Sequence, residues 1–184
     1  MLQQNRQNKN DMSKIYLGID PGSDGYLAVI DNGEYRFLPI DGTPPLEIGE
    51  FIGEYKDKNC IAILEDVHAL HGTSATSTFN FGFSKGLLFG LLIAHRIPYV
   101  LVAPKDWQSG VWINADKEYT TQKQKLKNGG EKTVRKVDTK QTSYNAALRL
   151  FPDVDFRKSA RCTKPHDGKV DALLMAEYGR RMNL

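Results

Sequence analysis

With 184 residues, 40% of them hydrophobic and 26% charged, the chain is long enough for one α/β domain with a real core and short for two. Its two cysteines, Cys60 in an apolar run and Cys162 in a basic loop, form no spaced metal or disulfide pattern, which fits a reducing, intracellular setting. The formal charge of +3 is unevenly spread: residues 117–140 hold eight basic side chains against three acids, and the rest of the chain is slightly acidic.

The first 13 residues are polar and lack the apolar stretch of a signal peptide, so they read as a disordered lead-in, with Met12 an alternative start. Residues 14–20 (KIYLGID) form a β-branched and aromatic run stopped by Pro21-Gly22, a strand and a turn. Residues 25–31 and 34–40 make two more strands joined by Asn32-Gly33, a hairpin signal. Leu46, Ile48, Phe51, Ile52 and Tyr55 fall near helical spacing behind Pro44 and Pro45. Residues 60–65 (CIAILE) are nearly all apolar, as in a strand covered on both faces.

A long helix is expected over residues 76–96 and a buried strand over 98–103. The longest apolar run, residues 87–94, is too short to cross a bilayer, so no membrane partner is expected. Residues 113–139 are polar and basic around Gly129-Gly130, an inserted loop or mobile hairpin in a domain spanning 14–184. This insert is either a solvated loop or a contact for a phosphate backbone. Two amphipathic helices follow, 139–151 and 167–182. The order of elements implies an α/β layer structure whose later strands run parallel through helical crossovers.

Four acids stand out. Asp20 ends the first strand and Glu65 the fourth, so as parallel neighbours about 4.8 Å apart they leave the same sheet end. Asp167 and Asp171 lie four residues apart near a helix start and share a face. Singly, Asp-Pro-Gly is an ordinary turn and the DxxxD pair an ordinary solvated face favoured by the helix dipole. Together they are an all-oxygen donor set for a hard cation, Mg²⁺ or Mn²⁺. Two such ions suit in-line attack of water on a phosphodiester.

These residues resemble the RuvC family of Holliday junction resolvases, especially the compact phage and prophage versions. The resemblance spans roughly residues 14–181. It rests on GIDPGSDGYLAVI, AILEDV, FNFGFSKGLLFGLL, PYVLVAPKDWQ, TSYNAALRLFP and HDGKVDALLMA. It implies a ribonuclease H-like fold, a mixed five-stranded sheet flanked by helices. Asp20, Glu65, Asp167 and Asp171 then match the family's catalytic, metal-binding acids, serving two ions per site. It also implies a homodimer cutting symmetric strands of a four-way DNA junction, in the cytoplasm of a bacterial or phage-infected bacterial cell.

Lys140 resembles a family lysine that contacts the scissile phosphate, and Lys105 lies near another basic DNA-contacting position. Lys123, Lys125 and Lys127 in the insert are candidate backbone contacts. Some relatives space the last two acids by three residues. Here Gly168 takes that place, which raises His166 as a supporting or helix-capping residue beside the metal. Where other members carry an aromatic wedge after the glutamate, this chain has His68.

Gly82, Gly86 and Gly90 form a stripe on the middle helix, for packing on the chain's own sheet or for pairing residues 76–96 with a second copy. Trp107 and Trp112 bracket the entry to the insert, to anchor it or to stack on bases. Three other functions compete. A sugar-kinase or actin-like ATPase shares the Asp-Pro-Gly-Ser turn but needs a second phosphate loop, which is missing. The others are a non-catalytic nucleic-acid-binding module and a nuclease acting on RNA, flaps or forks.

Overall fold

Alternation along three strands decides which side of the sheet each helix covers. The computed structural model describes residues 13–22, 24–67, 74–125 and 129–184. Strands β1 (Ile15–Ile19), β2 (Tyr26–Asp31), β3 (Glu34–Pro39), β4 (Cys60–Glu65) and β5 (Tyr99–Val102) form one sheet in the order β3-β2-β1-β4-β5. The β1–β2 and β2–β3 pairs are antiparallel, whereas β1–β4 and β4–β5 are parallel. On β1, Ile15, Leu17 and Ile19 join a core with helices α1 (Pro45–Gly53) and α2 (Ala75–Ala94). Tyr16, Tyr26, Ala28 and Ile63 face the other way, onto α3 (Pro104–Val111), α4 (Thr139–Leu150) and α5 (Asp167–Arg181).

Helix α5 is the centre of that second layer, with Leu173, Leu174, Met175 and Ala176 fully buried. It sits almost directly on the sheet backbone. A Cβ built at Gly18 would lie 1.9 Å from the Ala172 carbonyl oxygen and 2.6 Å from the Ala176 nitrogen. Only glycine permits that approach.

Several expectations need correction. Residues 98–103 read as a buried strand, but β5 is the sheet's edge, with Tyr99 37% and Leu101 46% exposed. Helix α3 was not foreseen. Its single apolar repeat, Trp107 and Val111 behind Pro104, is too short to stand out as a period. The insert forms a regular hairpin, β6 (Tyr119–Lys125) paired with β7 (Glu131–Val137), outside the main sheet.

The base of this hairpin is tied to the core. Buried Asp116 takes a bidentate pair from Arg149, Nε at 2.8 Å and Nη2 at 2.7 Å, and the Ile113 N–H at 2.8 Å. Asn145 Nδ2 donates to the Asp116 carbonyl, and the Glu118 N–H donates to Thr142 Oγ1.

Among the described residues, the glycine stripe does not pack on the chain's own sheet, because a Cβ at Gly82, Gly86 or Gly90 would meet none of them within 4 Å. Phe79 (71%), Phe83 (62%) and Ile93 (62%) are exposed on the same helix, and only Leu88 and Leu92 are buried. By length and mean hydropathy, α2 is a helix that could cross a membrane, although no single apolar run within it is long enough. Leu88 and Leu92 pack one side of it into the core with α1 and the sheet.

Candidate active site

The parallel register of β1 and β4 pairs Ile19 with Leu64, so the next residues, Asp20 and Glu65, leave the sheet side by side. Helix α5 brings its acids to the same end. Asp167 is its first residue and Asp171 comes one turn later. Gly168 lets the helix start press against the turn after β1. A Cβ there would lie 2.6 Å from the Asp24 carbonyl oxygen and 2.9 Å from Asp20 Oδ2. The end of β1, the last residue of β4 and the first turns of α5 thus supply the four acids.

A cleft of about 520 Å³ opens here, lined by Asp20, Asp24, Lys140, His166, Asp167 and Asp171 among others. Asp20 Oδ1 accepts the Gly22 N–H at 3.1 Å. Asp167 is ion-paired to Lys140 at 2.5 Å, and both side chains are exposed. Glu65 stands just off the cleft wall. Its Oε1 accepts a 2.9 Å hydrogen bond from Nε1 of Trp107, which is fully buried. Trp107 therefore does not face bases; it holds a carboxylate and packs edge-on against Trp112, at the entry to the insert, with ring centroids 6.3 Å apart.

The acids perturb one another. Burial raises the Asp171 carboxyl to about 8, helped by the charges of Asp20, Glu65 and Asp167, while a hydrogen bond from Ser143 pulls it down. Asp171 is only partly covered as a residue, yet its Oδ1 is shielded from solvent and has no hydrogen-bond partner among the described residues. Asp20 is raised chiefly by burial, with Asp167 and Asp24 adding to it and Gly22 and His166 opposing. Glu65 is raised by burial and by Asp20, against the opposing Trp107 hydrogen bond and Lys85 charge. Asp20, Glu65 and Asp171 each feel the charge of at least one other acid of the set, the electrostatic signature of a shared site.

Other expected residues fall in different places. His166 precedes α5, and its side chain makes no capping hydrogen bond, contrary to the capping role considered. Its ring packs on Tyr26 with centroids 4.8 Å apart, and its Nδ1 is buried without a partner. Lys105 is exposed at the start of α3, at the sheet end where β4 and β5 finish but outside the cleft lining. Lys123 is exposed on β6 and ion-paired to Glu131 at 3.4 Å. Lys125 belongs to β6 by its backbone, while His68 and Lys127 lie outside the described residues. Sequence reasoning missed Asp24 on the cleft wall, Ser143 beside Asp171 and the Trp107 bond to Glu65. The only signal for Asp24 was its place four residues after Asp20 in the same turn.

The donor chemistry suits a hard divalent cation, since carboxylate oxygens dominate and one buried oxygen lacks a partner. Among the described residues, no three His, Cys, Asp or Glu side chains stand close enough to form a ready-made cage. The geometry says why: Asp167 is turned to Lys140 and Glu65 to Trp107.

No protein-family model matches the sequence, and no curated protein matches it. Solved structures do. One of Thermus thermophilus RuvC is 13% identical, covers 92% of this chain and 96% of that one, and has a TM-score of 0.51. Another, of T. thermophilus RuvC in complex with Holliday junction substrate, is likewise 13% identical over the same shares, with a TM-score of 0.50. At this identity the likeness is one of fold. The chain has a RuvC-like α/β fold, a five-stranded mixed sheet with helices on both faces.

Proposed function

We propose that this chain is a metal-dependent endonuclease of the ribonuclease H-like kind that resolves four-way DNA junctions by symmetric phosphodiester hydrolysis. The reading rests on one observation: β1, β4 and α5 bring Asp20, Glu65, Asp167 and Asp171 to one sheet end, where burial and the neighbouring negative charges raise the proton affinity of Asp20, Glu65 and Asp171. Such an arrangement is unfavourable unless a cation joins it. A fold shared with a junction-bound RuvC supports the choice of substrate.

Asp20, Glu65, Asp167 and Asp171 would hold two Mg²⁺ or Mn²⁺ ions, which supply an activated water and stabilise the leaving 3′ oxygen. The chain's own groups prepare that site. Asp171 gives up its proton to become a ligand, and Trp107 keeps Glu65 in one orientation. Lys140 neutralises Asp167 until substrate arrives, then turns its exposed ammonium to the incoming phosphate. The partner surface is the outer face of α2, meeting the same face of a second copy. Its stripe of open glycines lets two helices approach closely, and its exposed phenylalanines supply the apolar contact.

The test is cleavage of an immobile four-way junction, with linear duplex, single strands, a fork and an RNA–DNA hybrid as controls. Asp20→Asn should lower cutting by more than about 100-fold, the upper range for removing an outer partner of a metal ligand, while retaining junction binding. Full cutting by that variant would refute the metal assignment. Preference for the fork or the hybrid would move the substrate.

A further inference from the structure

The cleft itself is a poor place for a polyanion to land. Asp20, Asp24, Asp167 and Asp171 line it, and its one lysine is already paired to Asp167. Any phosphate chain that reaches it must be held by cations beside it. The insert offers one such set, since β7 leads through Asp138 into Thr139 and Lys140 on the cleft wall. Pro165 and His166, which also line the cleft, are the end of a second basic segment.

Residues 157–164 contain Arg157, Lys158, Arg161 and Lys164 and no acid. This loop is fixed at its base. Phe156 is buried in the core with its ring edge against Tyr144, and the His166 N–H donates to the Phe156 carbonyl at 2.8 Å. An isolated bridge joins Arg157 to Pro165, and Lys169 Nζ from α5 donates to the Asp155 carbonyl at 2.6 Å. Two of the four cations serve the loop's own shape. Arg157 is paired to Asp155 at 2.8 Å and Lys158 to Asp41 at 2.9 Å. The other two, Arg161 and Lys164, are exposed and have no ion pair or side-chain hydrogen bond among the described residues.

We infer that the 157–164 loop is a second phosphate-backbone grip, with Arg161 and Lys164 holding the nucleic-acid strand beside the cleft, in addition to Lys140 and the insert. A loop whose base is built and paired while two cations are left free presents charge in a fixed place. A merely solvated loop would have no reason to be tied to the cleft wall. The inference rests on the nuclease reading and adds to it the surface that grips the substrate.

Cys162 supplies a built-in reporter. It stands next to Arg161 with its thiol proton loosened by Ser159 and by neighbouring Lys158 and Arg157, whereas Cys60 is buried and its thiol pushed up to about 12. Monobromobimane should therefore label the native full-length chain at Cys162. Without divalent ions, saturating synthetic four-way junction should slow that labelling several-fold. In parallel, R161A/K164A should weaken junction binding and reduce its log–log salt slope by about 1.8, that is, about 0.9 for each phosphate no longer neutralised.

An unchanged salt slope in the double variant, with tight binding by the native chain, would overturn the inference and leave the nuclease reading standing. Failure of the native chain to bind any DNA or RNA would overturn both.

Discussion

Asp171 ties the site's electrostatics to a measurable pH dependence. In the folded chain this carboxyl keeps its proton up to about pH 8, whereas an ordinary aspartate has a pKa of 3.8. Between those values the folded, metal-free protein binds a proton that the unfolded chain has released. Its stability must therefore fall as pH rises through that window and level off above it. Asp20 and Glu65, also raised, act in the same direction. Metal binding expels the proton, so apparent Mn²⁺ affinity should climb by up to about tenfold per pH unit below pH 8. Calorimetric titration at pH 6, 7 and 8 checks this, and a flat affinity would remove Asp171 from the ligand set. At this scale the positions of the acids were legible because Asp20 and Glu65 follow or close apolar strands and Asp167 and Asp171 share the first turns of a helix; their use as ligands is what we propose. The Trp107 bond to Glu65 was not, because it joins residues 42 apart through a helix too short to recognise.

Among the elements, α5 and β1 behave as one unit. Gly18 leaves no room for a methyl group against Ala172 and Ala176, so Gly18→Ala must push the helix off the sheet. Overpacking of this sort costs about 1–3 kcal/mol when side chains can adjust. Here the obstacle is backbone, so a loss at the top of that range or beyond is expected in urea unfolding, with cleavage falling too because Asp20 lies two residues on. A silent substitution would mean that the helix rides higher than the distances imply. Strand periodicity and the Asn32-Gly33 turn were readable in the sequence, as was the insert's break at Gly129-Gly130. The edge position of β5 was not, because an apolar run such as YVLV reads alike whether or not another strand lies beyond it.

For the molecule as a whole, the proposed pairing of two copies stands or falls with the outer face of α2. Phe79, Phe83 and Ile93 are exposed beside a glycine stripe that the chain itself leaves open. Gly86→Leu fills that stripe without touching the core. It should shift sedimentation from dimer to monomer at micromolar concentration while leaving thermal stability nearly unchanged. A native chain that sediments as a monomer throughout that range would remove the dimer. Sequence left two uses open for this stripe, because glycines at fourfold spacing look the same whether they meet a sheet or a twin.

The hairpin of β6 and β7 has a different consequence. Among the described residues it adds no strand to the main sheet, and its root is fastened through Asp116, Arg149, Glu118 and Thr142. Descendants of this chain are therefore free to lengthen, shorten or recharge its tip while the carboxylates stay where α5 and β1 set them. Substrate preference and reaction chemistry can drift at separate rates within one small domain.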